Sequence, residues 1–259
     1  MTDDATADRG SASPHVLVPF DAGAPKTRLA SVLDERERRA FARVLLEDVL
    51  GALATLGVDR TILATAPLDG TPEVAAPVVV DDRPLTAAVN ARLAGDLVGE
   101  TEPPVPSHEC PVGIVMADLP LATPRALRRV LYGDPSPGTD AASDPDAGRE
   151  RPADVTMAPG LGGGTNALCV RDPAFRVDYH GASCRDHRAI ARRRGLDLAT
   201  VDSFRLATDV DERADLVEIL IHGQGTAARS WLRDAGFSLA TGDGRVRVAR
   251  GDPGSEPTK

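Results

Sequence analysis

Apolar residues fall at Phe41, Val44, Leu45, Val49 and Leu53 with charges between them. That spacing predicts one long helix over 34–56, with Asp34 placed to cap its start and Gly57 to end it. Runs of a different kind surround it. His15-Val-Leu-Val-Pro-Phe20, Arg60-Thr-Ile-Leu-Ala64, Pro77-Val-Val-Val80 and Pro111-Val-Gly-Ile-Val-Met-Ala117 are short apolar stretches that read as strands. Further helices are predicted at 84–97, with Pro84 in the first turn, and at 123–131, capped by Thr123. The first half therefore reads strand, helix, strand, strand, helix, strand, helix. This is the alternation of a mostly parallel α/β sheet.

The pattern lapses over 133–151, where Pro, Gly, Asp and Ser dominate, and this stretch reads as an exposed acidic insertion. Strands resume at 154–158 and 167–170, with another over 175–179. A helix follows at 184–194, stopped by Gly195. A strand at 198–201 leads to helices at 211–221 and 226–235. The expectation is a disordered acidic leader at 1–14, one domain over 15–241 and a flexible tail at 242–259.

Composition narrows the class. The net charge is −9, with 28 aspartates against 11 glutamates and two lysines, Lys26 and Lys259, against 28 arginines. An acidic chain is a poor general binder of nucleic acid, which needs a basic surface. The Asp excess with scarce lysine reads as adaptation to a high-salt cytoplasm, ahead of the codon bias of a GC-rich genome, which also favours arginine over lysine. No apolar run approaches the roughly 20 residues of a membrane span. The three cysteines have no metal-site spacing, which fits reduced thiols.

Four polar clusters each follow or precede a strand, where open α/β sheets bind ligands. In Val18-Pro-Phe-Asp-Ala-Gly-Ala-Pro-Lys-Thr-Arg-Leu29, a small-residue loop carries Lys26 and Arg28. A lysine placed there in a chain that avoids lysine suggests a point charge for phosphate. Asp118 ends a buried strand, where it could hold a divalent metal or merely cap a turn. Gly160-Leu-Gly-Gly-Gly-Thr-Asn-Ala-Leu168 could wrap an anion or simply turn. Asp209 and Asp211 alternate in front of a predicted helix, as metal ligands or as caps. His187, one turn into its helix, reads first as a structural hydrogen-bonder.

Taken in order, Pro25-Lys-Thr-Arg-Leu29, Asp118-Leu-Pro120, Gly163-Gly-Thr-Asn-Ala-Leu168, Tyr179…Ser183…His187 and Asp209-Val-Asp-Glu212 resemble one family. It is the 2-phospho-L-lactate guanylyltransferase family of coenzyme F-420 biosynthesis, with its phosphoenolpyruvate-using relatives. The resemblance runs from about residue 15 to about residue 235. It implies a single nucleotidyltransferase domain of the glycosyltransferase-A type, GTP as substrate and Mg²⁺ as cofactor. It also implies a cytoplasmic homodimer that hands its product to a downstream transferase. Carried over to this chain, Lys26, Arg28 and Asp118 would be catalytic. Pro19, Phe20, Lys26, Arg28 and Asn90 would meet the nucleotide. Thr165, Gly181 and Ser183 would hold the acceptor, and Asp118, Asp209 and Asp211 the metal. Asp21, Pro84-Leu-Thr86, His180 and the insertion depart from the family pattern. The rival readings are a cytidylyl- or sugar-nucleotidyltransferase of the same fold and a non-catalytic nucleotide-binding protein.

Overall fold

The computed structural model describes residues 13–68, 70, 72, 75–95, 106–133, 152–241 and 244–251. Seven strands form one sheet: β1 (His15–Phe20), β2 (Arg60–Ala64), β3 (Val78–Val80), β4 (Val112–Val115), β5 (Val155–Pro159), β6 (Thr165–Val170) and β7 (Leu198–Thr200). Their spatial order is β3-β2-β1-β4-β6-β5-β7. Every pairing is parallel except those of β6, which runs against both β4 and β5. The start of β6 therefore lies at the same sheet edge as the end of β4, so two distant segments can face each other there.

The expected long helix is α1 (Glu35–Leu56). Asp34 and Glu37 form a capping box at its start, and Gly57 ends it at φ 68°. With α3 (Pro124–Tyr132), it covers one face of the sheet through Leu46, Val49, Leu50, Leu127 and Val130. The other face carries α2 (Leu85–Leu93) and α4 (Ser183–Arg194), packed through Val89, Leu93, Cys184 and Ala191. Gly113 in β4 lets α3 sit close: a Cβ there would lie 2.6 Å from Leu131 and 3.0 Å from Val16.

A third apolar cluster joins Phe41 and Leu45 of α1 to α6 (Asp215–His222), α7 (Ala227–Asp234), Phe237 and Val248. Asp48, projecting from α1, accepts hydrogen bonds from the amides of Ala227 (2.8 Å) and Ala228 (2.9 Å). It thus caps a helix nearly 180 residues away in sequence.

Four expectations are corrected. First, Phe175–Tyr179 is not a strand. Side chains replace a ladder: Asn90 and the Val177 backbone exchange two hydrogen bonds of 2.9 and 2.8 Å, and the Tyr179 amide donates to Thr86. Second, α2 ends at Leu93, with Pro84 as its N-cap. Third, a short helix α5 (Phe204–Ala207) precedes the aspartate pair, and α6 starts at Asp215, not at residue 211. Fourth, the expected flexible tail contains strand β9 (Arg247–Arg250), which pairs antiparallel with β8 (Phe237–Ala240). The 1–12 part of the leader and all of the insertion except Gly133 lie outside the described residues.

Candidate active site

The loop after β1 is folded by its own aspartate. Asp21 Oδ1 accepts from the amides of Gly23 and Ala24 and from the Thr65 hydroxyl. The loop ends at Lys26, whose φ of 55° makes it, among the described residues, the one non-glycine residue in the left-handed region. That conformation costs roughly 1–2 kcal/mol for an L-residue. It starts a 3₁₀ turn (Thr27–Ser31) and points the lysine side chain inward, leaving it 10 % exposed.

Lys26 Nζ donates to Asp118 Oδ2 at 2.7 Å and to Asp211 Oδ1 at 3.0 Å. Burial alone would lower the pKa of this ammonium, but the charges and hydrogen bonds of Asp118 and Asp211 outweigh it and raise the pKa. Arg28 Nη1 stands 3.5 Å from Asp211 Oδ2 and is two-thirds exposed. Pro19, Phe20, Pro25, Met116 and Ala117 complete a cavity of about 220 Å³ around this cluster.

The aspartate pair reaches the cluster through its backbone. The Val210 amide donates to the Asp118 carbonyl at 3.2 Å, and the Val210 side chain is fully buried. Lys26 thus joins Asp211 to Asp118, and Asp209 lies close enough to both carboxylates to feel their charge. Asp209 is held by Asn166 Nδ2 at 3.0 Å; the same nitrogen also donates to Leu206 O at 2.9 Å. Burial first, then the charges of Asp118 and Asp211, raises the Asp209 pKa despite that hydrogen bond. α6 has Ala214 as its N-cap with no side-chain cap; Asp215, its first residue, instead accepts from the upstream amides of Asp211 and Glu212.

The glycine run is the β5–β6 turn. Its amides at Gly160, Leu161 and Gly163 are bound to Gly164, Ala207 and Gly160, so they do not cradle an anion. Gly160 has a sterically required role: a Cβ there would lie 2.7 Å from Asn166 Oδ1. Gly160→Ala is expected to push Asn166 off Asp209 and lower turnover roughly tenfold, with a change in stability of about 1–2 kcal/mol. Steady-state rates set beside urea unfolding will separate the two effects, and an unchanged rate would detach Asn166 from catalysis.

Around α4, His187 is fully buried. Its Nε2 accepts from the Asp178 amide at 2.9 Å, which leaves the proton on Nδ1, 2.9 Å from Thr165 Oγ1. Ser183 Oγ also donates to Thr165 Oγ1. Burial lowers the His187 pKa to about 4. The imidazole is therefore neutral and structural.

Residues 14–251 match a family model described as guanylyl transferase CofC-like. The chain belongs to this family. It is 52 % identical over 235 residues to the 2-phospho-L-lactate guanylyltransferase of Halomicrobium mukohataei, covering 91 % of this chain and 98 % of that one. A protein of the same name from Haloferax volcanii shows the same identity, with 91 % and 98 % covered. Among solved structures, a Desulfovibrio desulfuricans protein described as a nucleotide-diphospho-sugar transferase superposes with a TM-score of 0.62. It is 17 % identical and spans 86 % of this chain and 94 % of its own, which establishes a shared fold.

For this CofC-like chain, the structure brings together Pro19, Phe20, Lys26, Arg28, Asp118 and Asp211, with Asp209 alongside. It does not bring Asn90 to the nucleotide side with a free amide: both ends of that side chain clasp Val177. The Thr165 and Ser183 hydroxyls are committed to His187 and to each other, and Gly181 is an exposed left-handed residue before α4. Sequence reasoning undervalued Asn166. Its signal was the amide directly after Thr165 in a buried strand, where a polar side chain needs a partner.

Proposed function

We propose that this chain transfers the guanylyl group of GTP to 2-phospho-L-lactate, with release of pyrophosphate. The observation that carries the reading is the buried lysine between two aspartates at the edge of a nucleotidyltransferase sheet, in a chain about half identical to enzymes of that name. The acceptor's phosphate oxygen attacks the α-phosphorus of GTP. A new P–O bond forms, the bond between the α-phosphorus and the bridging oxygen breaks, and its electron pair leaves on pyrophosphate. A phosphate oxygen is already nucleophilic, so no general base is needed, which agrees with a His187 locked away from solvent. Positioning and charge neutralisation supply the catalysis.

Lys26 and Arg28 would neutralise the triphosphate, and Pro19 and Phe20 would wall the nucleotide. The loop and helix start around Thr165, Gly181 and Ser183 would face the acceptor. Asp118, Asp209 and Asp211 would hold Mg²⁺. They suit it as hard carboxylate donors: Asp118 Oδ1 is buried without a hydrogen-bond partner, and Asp209 is destabilised as an anion by burial first and then by the charges of Asp118 and Asp211. Among the described residues, no three such side chains already converge on one ion position; Lys26 stands between two of them. Bound there, the ion would neutralise charge on the reacting phosphates. The expected setting is a cytoplasmic homodimer that passes its diphosphate-linked product to a transferase in coenzyme F-420 synthesis. No helix among the described residues is long and apolar enough to cross a membrane.

The test is pyrophosphate release from folded protein in molar KCl with Mg²⁺, GTP and each of 2-phospholactate, phosphoenolpyruvate and 3-phosphoglycerate. Turnover with GTP and 2-phospholactate is expected to exceed that with CTP or ATP by about a hundredfold. Absence of release with every acid, or a preference for CTP, would sink the reading.

A further inference from the structure

We infer that Lys26 is a built-in counter-ion: it holds Asp118 and Asp211 together, and a divalent cation must displace it to bind. The inference rests on the metal reading above and concerns what occupies the metal's place before it arrives.

Four observations carry it. The Lys26 ammonium lies 2.7 and 3.0 Å from oxygens of the two carboxylates that a metal would use, and it is itself nine-tenths buried. Two carboxylates facing each other at such a site are costly without a cation between them. The ammonium serves them incompletely, since Asp118 Oδ1 remains unpartnered. The strained backbone at Lys26 fixes where the side chain starts, while its four-carbon stem lets the head move without the backbone.

The residue type agrees. In a chain with 28 arginines, this position is one of two lysines. A guanidinium would fork onto a carboxylate with two parallel hydrogen bonds and resist displacement, whereas an ammonium is a single point charge that can be exchanged for a stronger one. Arg28, already 3.5 Å from Asp211 and mostly exposed, needs no such release.

The experiment uses the full chain in molar KCl, with Mn²⁺ alone and no nucleotide. Acetic anhydride labelling followed by mass spectrometry reads Lys26 directly, with Lys259 as reference. Lys26 is expected to be protected in the metal-free protein and to react about tenfold faster when Mn²⁺ is saturating. In parallel, calorimetric Mn²⁺ affinity is expected to rise roughly tenfold in Lys26→Met and to fall in Lys26→Arg, following the charge removed or fixed beside the ion. If Mn²⁺ binds, is lost in Asp118→Asn, and Lys26 stays protected, the counter-ion role is overturned and the metal site stands. Lys26→Met binding Mn²⁺ no more tightly than the native protein would overturn it as well. If neither form binds Mn²⁺ at millimolar concentration, the metal reading falls and takes this inference with it.

Discussion

Asp118→Asn is expected to slow guanylyl transfer by about a hundredfold or more while leaving the fold in place. The substitution keeps the side-chain shape and leaves the Asp118 carbonyl, which anchors Val210, untouched. What it removes is one negative charge where Lys26, Asp209 and Asp211 converge. Lys26 then has Asp211 as its remaining carboxylate, and an amide nitrogen or oxygen replaces the partner it held at 2.7 Å. Initial rates of pyrophosphate release, read beside a circular-dichroism melt in the same salt, will decide the matter. A rate within threefold of the native protein would remove Asp118 from the reaction, since a metal ligand or a lysine anchor cannot be neutralised so cheaply. A collapse in melting temperature with no further rate loss per folded molecule would make it structural.

Acidification is expected to destabilise the protein in large part through one imidazole. His187 titrates near its ordinary value of 6.5 in the unfolded chain and at about 4 in the folded one, because burial penalises the imidazolium. The unfolded state therefore binds the proton first. The stability tied to neutral His187 is fully present above about pH 6.5 and is lost as the pH falls towards 4. At about 1.4 kcal/mol per unit, the loss is on the order of 3 kcal/mol. A proton on Nε2 would also evict the Asp178 amide that Nε2 now accepts. Urea unfolding at half-unit pH steps should show the decline, and His187→Gln should flatten it even if that variant starts lower. His15, whose pKa burial also lowers, adds to the decline, while two half-buried acids, Asp48 and Asp209, have raised pKa values and push stability the opposite way, so the His187 variant is the decisive control. A native profile that is flat from pH 6.5 to 4, or an equal slope in His187→Gln, would refute the assignment.

The elements built on strong local signals were readable from the residues. The 3.6-residue spacing and the Asp34 and Gly57 caps delimited α1 to within one residue. The apolar runs located β1, β2 and β4 within a residue or two. Legibility failed where long-range partners decide the conformation. Phe175–Tyr179 has strand composition, but its amides meet the side chains of Asn90, Thr86 and His187, whose positions no local pattern announces. The β8–β9 hairpin is stabilised by Val248 entering the α6–α7 cluster, so polar spacing made its second strand look like a tail. The antiparallel course of β6 was likewise invisible, since it depends on which neighbour the strand finds. Within the site, the charged residues were legible because Lys26, Asp118, Asp209 and Asp211 stand where strands end or helices begin. The hydrogen-bond partners of Asn90, Thr165 and Ser183 were not, because a hydrogen-bonding side chain in sequence does not reveal whether its partner is a ligand or the protein. Here all three are bound within the chain.

Lys26 and Asp211 are separated by 185 positions. That distance gives the site a place in time during synthesis. When the ribosome has delivered β1 through α3, the chain holds the four parallel strands and α1, yet this part carries Lys26 and Asp118 without Asp209 and Asp211. The Asp209–Asp211 segment emerges only after β5, β6 and α4, and Val210 then docks on the Asp118 carbonyl from outside the half already made. Under the proposed ligand set, a growing chain gains its nucleotide site only when residues 209–211 are out, and Lys26 must wait for an aspartate not yet translated.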